Sequence, residues 1–125
     1  MREILFRGKS VTDGRWVFGN LSNYGDYRAI TTTRGFSIID SCEVIPETVG
    51  QYTGLKDLHG TRIFEGDVVK SIAAWYVVEF ENGGYGLRLF GKGKLIPIMG
   101  HGNFNENEVE VIGTVYDNQE LLKGE

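Results

Sequence analysis

Cysteine, proline and long apolar runs are scarce in this sequence, and each scarcity excludes a class of protein. The single cysteine, Cys42, cannot form an internal disulfide, so the chain is not a disulfide-stabilised extracellular scaffold. The two prolines, Pro46 and Pro97, are too few for a proline-rich linker. No apolar stretch has the length of a signal-peptide core or of a bilayer span. We therefore expect a cytoplasmic protein with no membrane association.

Basic charge is also in short supply, and this limits the partners. The sequence has 13 Lys and Arg residues against 17 Asp and Glu residues, which gives a formal net charge of -4. Broad electrostatic capture of nucleic acid or of an anionic membrane needs a basic face. The charge balance therefore disfavours both as partners.

Glycine, by contrast, is abundant, with 18 residues in a chain of 125. Short runs of aromatic and β-branched residues alternate with Gly, Asn and Asp, which is typical of strands and turns. Helix signals are confined to Asp117–Leu122, where Asp117 can cap one short turn. We predict an all-β fold, a small barrel-like and SH3-like antiparallel sheet with hairpins and a short C-terminal helical turn. Its length fits a single domain over residues 1–125, divided into N-terminal strands (1–46), a Gly-rich motif and barrel (47–117) and a tail (118–125).

Two dipeptides predict tight hairpin turns, Asp13-Gly14 and Asn82-Gly83. Gly113 lies in the apolar alternation of the last strand and predicts a bulge or a close approach of two backbones there. The segment 49–69 is predicted to be the least regular part of the chain. The predicted strands cover residues 3–7, 15–18, 27–33, 36–45, 68–72, 75–81, 85–90, 95–99 and 109–115.

Carboxylates cluster in the middle of the sequence, where Asp57, Glu65 and Asp67 lie close to His59. An enzyme would need these four side chains to converge in one pocket for acid–base chemistry. The competing interpretation is turn chemistry, because Asp next to Gly commonly accepts backbone N–H bonds. We favour turn chemistry and expect no catalytic residues. The spacing of the histidines and the cysteine matches no metal motif, so we also expect no metal and no cofactor.

A second alternative is a β-barrel that binds single-stranded nucleic acid. Arg88, Lys92 and Lys94 flank Tyr85, and such barrels stack bases on exposed aromatic rings. The opposing interpretation places these aromatics in the core, as a small β-domain requires. Because phosphate contacts dominate the affinity for nucleic acid, the acidic charge balance favours the core interpretation.

A long ordered motif occupies the segment Val44–Val69. Two further segments accompany it, Met1–Lys9 at the start and Glu110–Asn118 near the end. In these three segments the sequence resembles the YopX family of phage and prophage proteins, and the resemblance covers nearly the whole chain. The residues of the motif that we single out are Gly50, Gln51, Tyr52, Thr53, Gly54, Asp57, Gly60, Glu65, Gly66 and Asp67.

The resemblance implies a small, mostly β protein encoded by a phage or prophage, with no established activity and no catalytic residues to carry over. The motif itself is rich in turns, and four of its glycines are expected to supply unusual backbone angles: Gly50, Gly54, Gly60 and Gly66. We expect a non-enzymatic accessory protein of unknown biochemical function in the cytoplasm of the bacterial host. It would act through contacts with a host or phage protein and would form a homo-oligomer through its sheet edges or C-terminal segment.

Overall fold

A computed structural model of the chain describes residues 4–34, 37–72, 74–81, 83–89, 95–97 and 108–118. These residues form eleven strands and one 3₁₀ turn, Pro46–Thr48, which confirms the all-β class. The strands are β1 (Phe6–Lys9), β2 (Trp16–Asn23), β3 (Arg28–Arg34), β4 (Ser37–Val44), β5 (Gly50–Lys56), β6 (Arg62–Phe64), β7 (Asp67–Lys70), β8 (Trp75–Glu81), β9 (Gly84–Leu89), β10 (Leu95–Pro97) and β11 (Glu110–Thr114).

The strands form two antiparallel sheets. The first has the order β4-β3-β2-β1-β5-β6 and the second the order β10-β9-β8-β7-β11. In the part of the chain that the structure describes, the strand order closes neither sheet into a barrel, so the hairpin-rich antiparallel sheet is open. By contacts the chain divides into two compact units, Met1–Tyr52 and Thr53–Glu125, which we call the N-terminal and C-terminal units.

The N-terminal unit is a meander whose last strand returns to the first. Ser10 and Val44 form an isolated antiparallel bridge, and the Ile45 N–H donates to the Lys9 carbonyl oxygen at 2.8 Å. Gly8 permits this return, because a Cβ at that position would lie 3.0 Å from the Cβ of Val44. Ile45, which follows β4, is therefore held beside β1. Pro46 comes directly after Ile45, so its position is determined by the same contact.

The C-terminal unit holds a cluster of buried apolar residues on β6 to β9 and beside β11. Val78 of β8 and Leu87 of β9 are both buried and are paired across the two strands. Each such aliphatic side chain contributes about 1.5–3 kcal/mol on burial. The cluster consists of Ile63, Val69, Val78, Tyr85, Leu87 and Val109.

The structure confirms the two hairpin glycines and the irregularity at Gly113 that the sequence predicts outside the central motif. Gly14 and Gly83 have φ angles of 73° and 84°, as the two predicted hairpins require. The register shift between Val111 and Gly113 confirms the predicted bulge in β11. Of the predicted C-terminal helical turn, only Asp117 and Asn118 lie within the described residues, where the Asn118 N–H closes a turn on the Thr114 carbonyl oxygen at 3.0 Å.

The prediction that segment 49–69 is irregular was wrong, because it contains β5 and β6. Gly50 is the clearest correction, because it pairs with Arg7 in the β1–β5 ladder and its φ angle is not positive. The unusual backbone angles are confirmed at the other three motif glycines, with φ of 92° at Gly54, 82° at Gly60 and 93° at Gly66. The glycines lower the β-propensity of this segment, but pairing with the distant strand β1 stabilises β5.

Candidate functional site

Asp57 is a buried motif residue whose carboxylate accepts three backbone N–H groups. Its Oδ1 accepts the backbone N–H groups of His59 at 2.8 Å and Thr61 at 2.9 Å, and its Oδ2 accepts that of Val111 at 2.9 Å. Only 6% of the residue is exposed. The Gly60 N–H closes the same turn on the Asp57 carbonyl oxygen at 3.0 Å. One carboxylate therefore holds the β5–β6 turn in shape and fastens it to β11.

The protonation of Asp57 follows from these bonds. Burial by itself raises the pKa of this carboxyl group, because it penalises the charged form. The N–H bonds from Val111, Thr61 and His59 outweigh burial, so the pKa of Asp57 is lowered. The group is thus an ionised acceptor at neutral pH, and its hydrogen-bonding capacity is used by the backbone.

The outer side of this turn carries a polar pair and an apolar side chain. His59 Nε2 lies 3.2 Å from Glu110 Oε2, and both side chains are about half exposed. Leu58 is exposed as well, although its backbone N–H donates to the Val109 carbonyl oxygen at 3.1 Å. The turn is therefore anchored to the β11 segment through both backbone and side-chain contacts.

Gly66 forms the second turn of the motif. Its N–H donates to the Val78 carbonyl oxygen at 2.8 Å, and its own carbonyl oxygen accepts the Val115 N–H at 2.9 Å. A side chain has no room here, because a Cβ would lie 2.9 Å from Cε2 of Tyr116. The buried Asp67 begins the next strand, and its Oδ2 accepts the Phe64 N–H at 2.7 Å across the turn.

The segment after β11 is held by a threonine. Thr114 Oγ1 accepts the N–H groups of Tyr116 at 3.1 Å and Asp117 at 3.0 Å. The Thr114 N–H in turn donates to Asn118 Oδ1 at 3.1 Å. Because β11 pairs with β7, the two sequence segments that resemble the YopX family, the central motif and the end segment, are neighbours in space. The bond from the Val111 N–H to Asp57 and the contact between His59 and Glu110 connect the two segments.

The four residues of the enzyme alternative are distributed over two turns and the start of β7. Asp57 and His59 belong to the β5–β6 turn, whereas Glu65 lies in the turn between β6 and β7 and Asp67 begins β7 directly after that turn. The carboxylates of Asp57 and Asp67 each accept N–H groups of their own turn, as the turn interpretation predicts. Within the described residues, no group of three or more His, Cys, Asp or Glu side chains could hold a metal ion.

The aromatic platform of the nucleic-acid alternative is not formed by Tyr85, which is 7% exposed and belongs to the core cluster. Phe80 packs against its ring edge-on, with centroids 4.9 Å apart. Arg88 binds Glu79 through Nε at 2.9 Å, and this hydrogen bond is the main reason that the pKa of Arg88 is raised. The other predicted contacts, Lys92 and Lys94, lie outside the described residues.

A different surface, which the sequence interpretation missed, lies at the β2–β3 hairpin. The Tyr24 N–H donates to the Tyr27 carbonyl oxygen at 2.9 Å around a tight turn in which Gly25 has φ of 77°. The rings of Tyr24 and Tyr27 stack with centroids 5.3 Å apart and an interplanar angle of 28°. They are 46% and 43% exposed. The pair Gly25-Asp26 is a recognised hairpin signal that could have located this turn from the sequence.

A cavity of about 590 Å³ adjoins the tyrosine pair. It lies in the N-terminal unit between the hairpin turn and the 3₁₀ turn that follows β4. All of its lining residues are exposed, so the cavity is open to solvent. The lining residues are Asn23, Gly25, Asp26, Tyr27, Arg28, Pro46 and Glu47.

The chain is thus an antiparallel β protein. The polar residues of its sequence motif connect turns and strands of the C-terminal unit, whereas its exposed tyrosine pair lies at the β2–β3 hairpin. The chain belongs to the YopX family, because the family described as YopX protein matches residues 5–123. It is also similar in fold to the crystal structure of protein EF1440 from Enterococcus faecalis, with a TM-score of 0.61 and 20% identity over 98% of this chain and 99% of that one. Among curated proteins, none matches the sequence. No helix in the described residues is long and apolar enough to cross a bilayer.

Proposed function

We propose that this YopX-family chain is an accessory protein of a phage or prophage that works by binding other proteins in the cytoplasm of the bacterial host, without catalysis. One observation carries the proposal: the stacked pair Tyr24–Tyr27 is nearly half exposed beside an open cavity. Tyrosine is enriched in protein interfaces, since it supplies a large, rigid contact area at low cost in side-chain entropy. The motif carboxylates Asp57 and Asp67, in contrast, are occupied by backbone groups.

Affinity capture from bacterial host cells, followed by mass spectrometry, tests this proposal. We expect a partner that the unmodified chain captures and that the double variant Tyr24→Ala/Tyr27→Ala loses. Phe80→Ala is the matched control, because Phe80 is an aromatic residue exposed to 49% at a different surface. Absence of any specific partner for the unmodified chain would refute function by protein binding.

We also propose self-association, and β4 supports it as the longest edge strand among the residues that the structure describes. The other edges are short or irregular: β6 and β10 have three residues each, and β11 is bulged. Such features restrict the addition of further strands. The end of β4 is already paired, because the Glu43 carbonyl oxygen accepts the Val11 N–H at 3.1 Å, but the part of β4 before Glu43 leaves an edge that can accept a strand. In β4, the Ser41 N–H donates to Asp40 Oδ1 at 2.9 Å.

Light scattering at increasing protein concentration tests self-association. We expect a dimer or larger species that dissociates in the variant Ser41→Pro, because the proline ring disturbs the edge strand and removes the N–H that Asp40 holds in place. A monomer at every concentration would refute self-association and would leave binding to other proteins to the capture experiment.

A further inference from the structure

The cavity beside the tyrosine pair carries exposed charged side chains. Asp26, Arg28 and Glu47 all line it and are exposed. None of the three forms an ion pair within the part of the chain that the structure describes. Two carboxylates and one guanidinium group therefore line the same cavity as Tyr27, and the cavity has an excess of negative charge.

Both walls of the cavity are fixed by backbone hydrogen bonds. On one side, Asn23 pairs with Arg28 at the end of the β2–β3 ladder. On the other, the 3₁₀ turn is closed by the Thr48 N–H, which donates to the Ile45 carbonyl oxygen at 3.0 Å, and Thr48 Oγ1 accepts the Lys9 N–H at 2.9 Å. A site held in this way loses little conformational entropy when a ligand binds.

We propose that this cavity binds a single arginine or lysine side chain presented by an extended segment of a partner protein. The cation would lie on the face of the Tyr27 ring, between the carboxylates of Asp26 and Glu47. A cation on a tyrosine ring is stabilised by the ring quadrupole, and the two carboxylates provide complementary charge. The inference rests on the proposed function and specifies the chemistry of the partner.

Shape and charge favour a peptide segment with one basic residue over other occupants. Because every lining residue is exposed, the cavity is an open site that a chain can cross, not an enclosed chamber for a small molecule. Its volume of about 590 Å³ accommodates one long side chain with its neighbouring backbone. Arg28 offsets one of the two carboxylates, so the cavity has the charge for one cation and disfavours a polybasic run; its guanidinium group can donate to a backbone carbonyl or to an acidic neighbour.

Titration of the ¹⁵N-labelled full-length chain with a short arginine peptide, followed by NMR, tests the inference. The matched probe is the same peptide with citrulline, which keeps the shape of arginine and removes its charge. We expect shifts of the backbone amides of Tyr27, Arg28 and Glu47 with the arginine peptide at low salt, and a loss of these shifts with citrulline. Equal responses to the two peptides, or no response to either, would overturn the inference.

Charge-neutral variants locate the site. Asp26→Asn/Glu47→Gln should weaken the arginine peptide by about five- to tenfold, as expected for the loss of two exposed ionic contacts. Asp13→Asn/Glu108→Gln removes the same charge from exposed positions outside the cavity and should leave the affinity unchanged. Equal weakening by both double variants would overturn the assignment, because it would show a net-charge effect only.

The outcome is separable from that of the proposed function. If capture from host cells depends on Tyr24 and Tyr27 while the arginine peptide leaves the cavity amides unshifted, the protein binds a partner of different chemistry and only the further inference fails. If the unmodified chain captures no partner, the proposed function fails regardless of the peptide result.

Discussion

Replacing Asp57 with asparagine perturbs the connection between the central motif and β11. In Asp57→Asn, the side-chain oxygen can still accept the His59 and Thr61 N–H groups, but the amide nitrogen then faces the Val111 N–H. Two donors meet, so one charge-assisted bond is lost and the donor of Val111 loses its acceptor. An orphaned buried donor costs about 1–3 kcal/mol, and the two remaining bonds weaken without the charge. We therefore expect a loss of about 2–4 kcal/mol in the free energy of unfolding.

The pH dependence of stability gives a second, independent signature of the same group. The pKa of Asp57 in the folded chain lies below its ordinary value of 3.8. The stabilisation by the ionised group is therefore fully present above pH 3.8 and is lost as the pH falls through the lower pKa of the folded state. Asparagine does not titrate, so Asp57→Asn should lose this part of the acid destabilisation.

Urea unfolding from pH 7 down to pH 2 measures both effects, and amide hydrogen exchange reports on Val111 directly. Asp13→Asn is the control, since Asp13 also accepts a backbone N–H, that of Arg15 at 3.0 Å, but lies in an exposed turn. We expect little change in stability for this control at pH 7. An Asp57→Asn variant as stable as the unmodified chain, with Val111 still protected from exchange, would refute the structural role of the carboxylate.

Two further predictions follow from the positions of the motif and of the core. Gly66→Ala should destabilise the chain more than Gly60→Ala in urea unfolding, because both positions have positive φ but only at Gly66 would the new Cβ meet Tyr116. Equal losses would contradict the steric part of this explanation. In a gel-shift assay at low ionic strength, the chain should not retard single-stranded DNA or RNA, because Tyr85 is buried and Arg88 is bound to glutamates. Salt-dependent retardation would contradict the assignment of Tyr85 to the core alone.

Features with a local signal could be predicted from the sequence. Strand β8 occupies Trp75–Glu81, the range that its aromatic and β-branched residues indicate. The turn at Gly14 and the bulge at Gly113 follow from the backbone freedom of a single residue. The preference for turn chemistry at Asp57 was also sound, since aspartate close to glycine is a local pattern.

Features that depend on distant contacts could not be predicted in this way. Gly50 lies in a strand because it pairs with Arg7, 43 positions earlier in the sequence. The third bond of Asp57 comes from Val111, at a sequence separation of 54. The cavity requires the segment that follows Val44 to return beside the N-terminal hairpins, and no periodicity encodes that return.

Site-specific photocrosslinking in bacterial host cells tests function by protein binding most directly. A photoreactive phenylalanine analogue would replace Tyr27 in one variant and Phe80 in another, two aromatic positions of similar exposure. The proposed function predicts a discrete crosslinked partner from position 27 and none from position 80. No crosslink at position 27, or the same products from both positions, would contradict binding through the tyrosine surface.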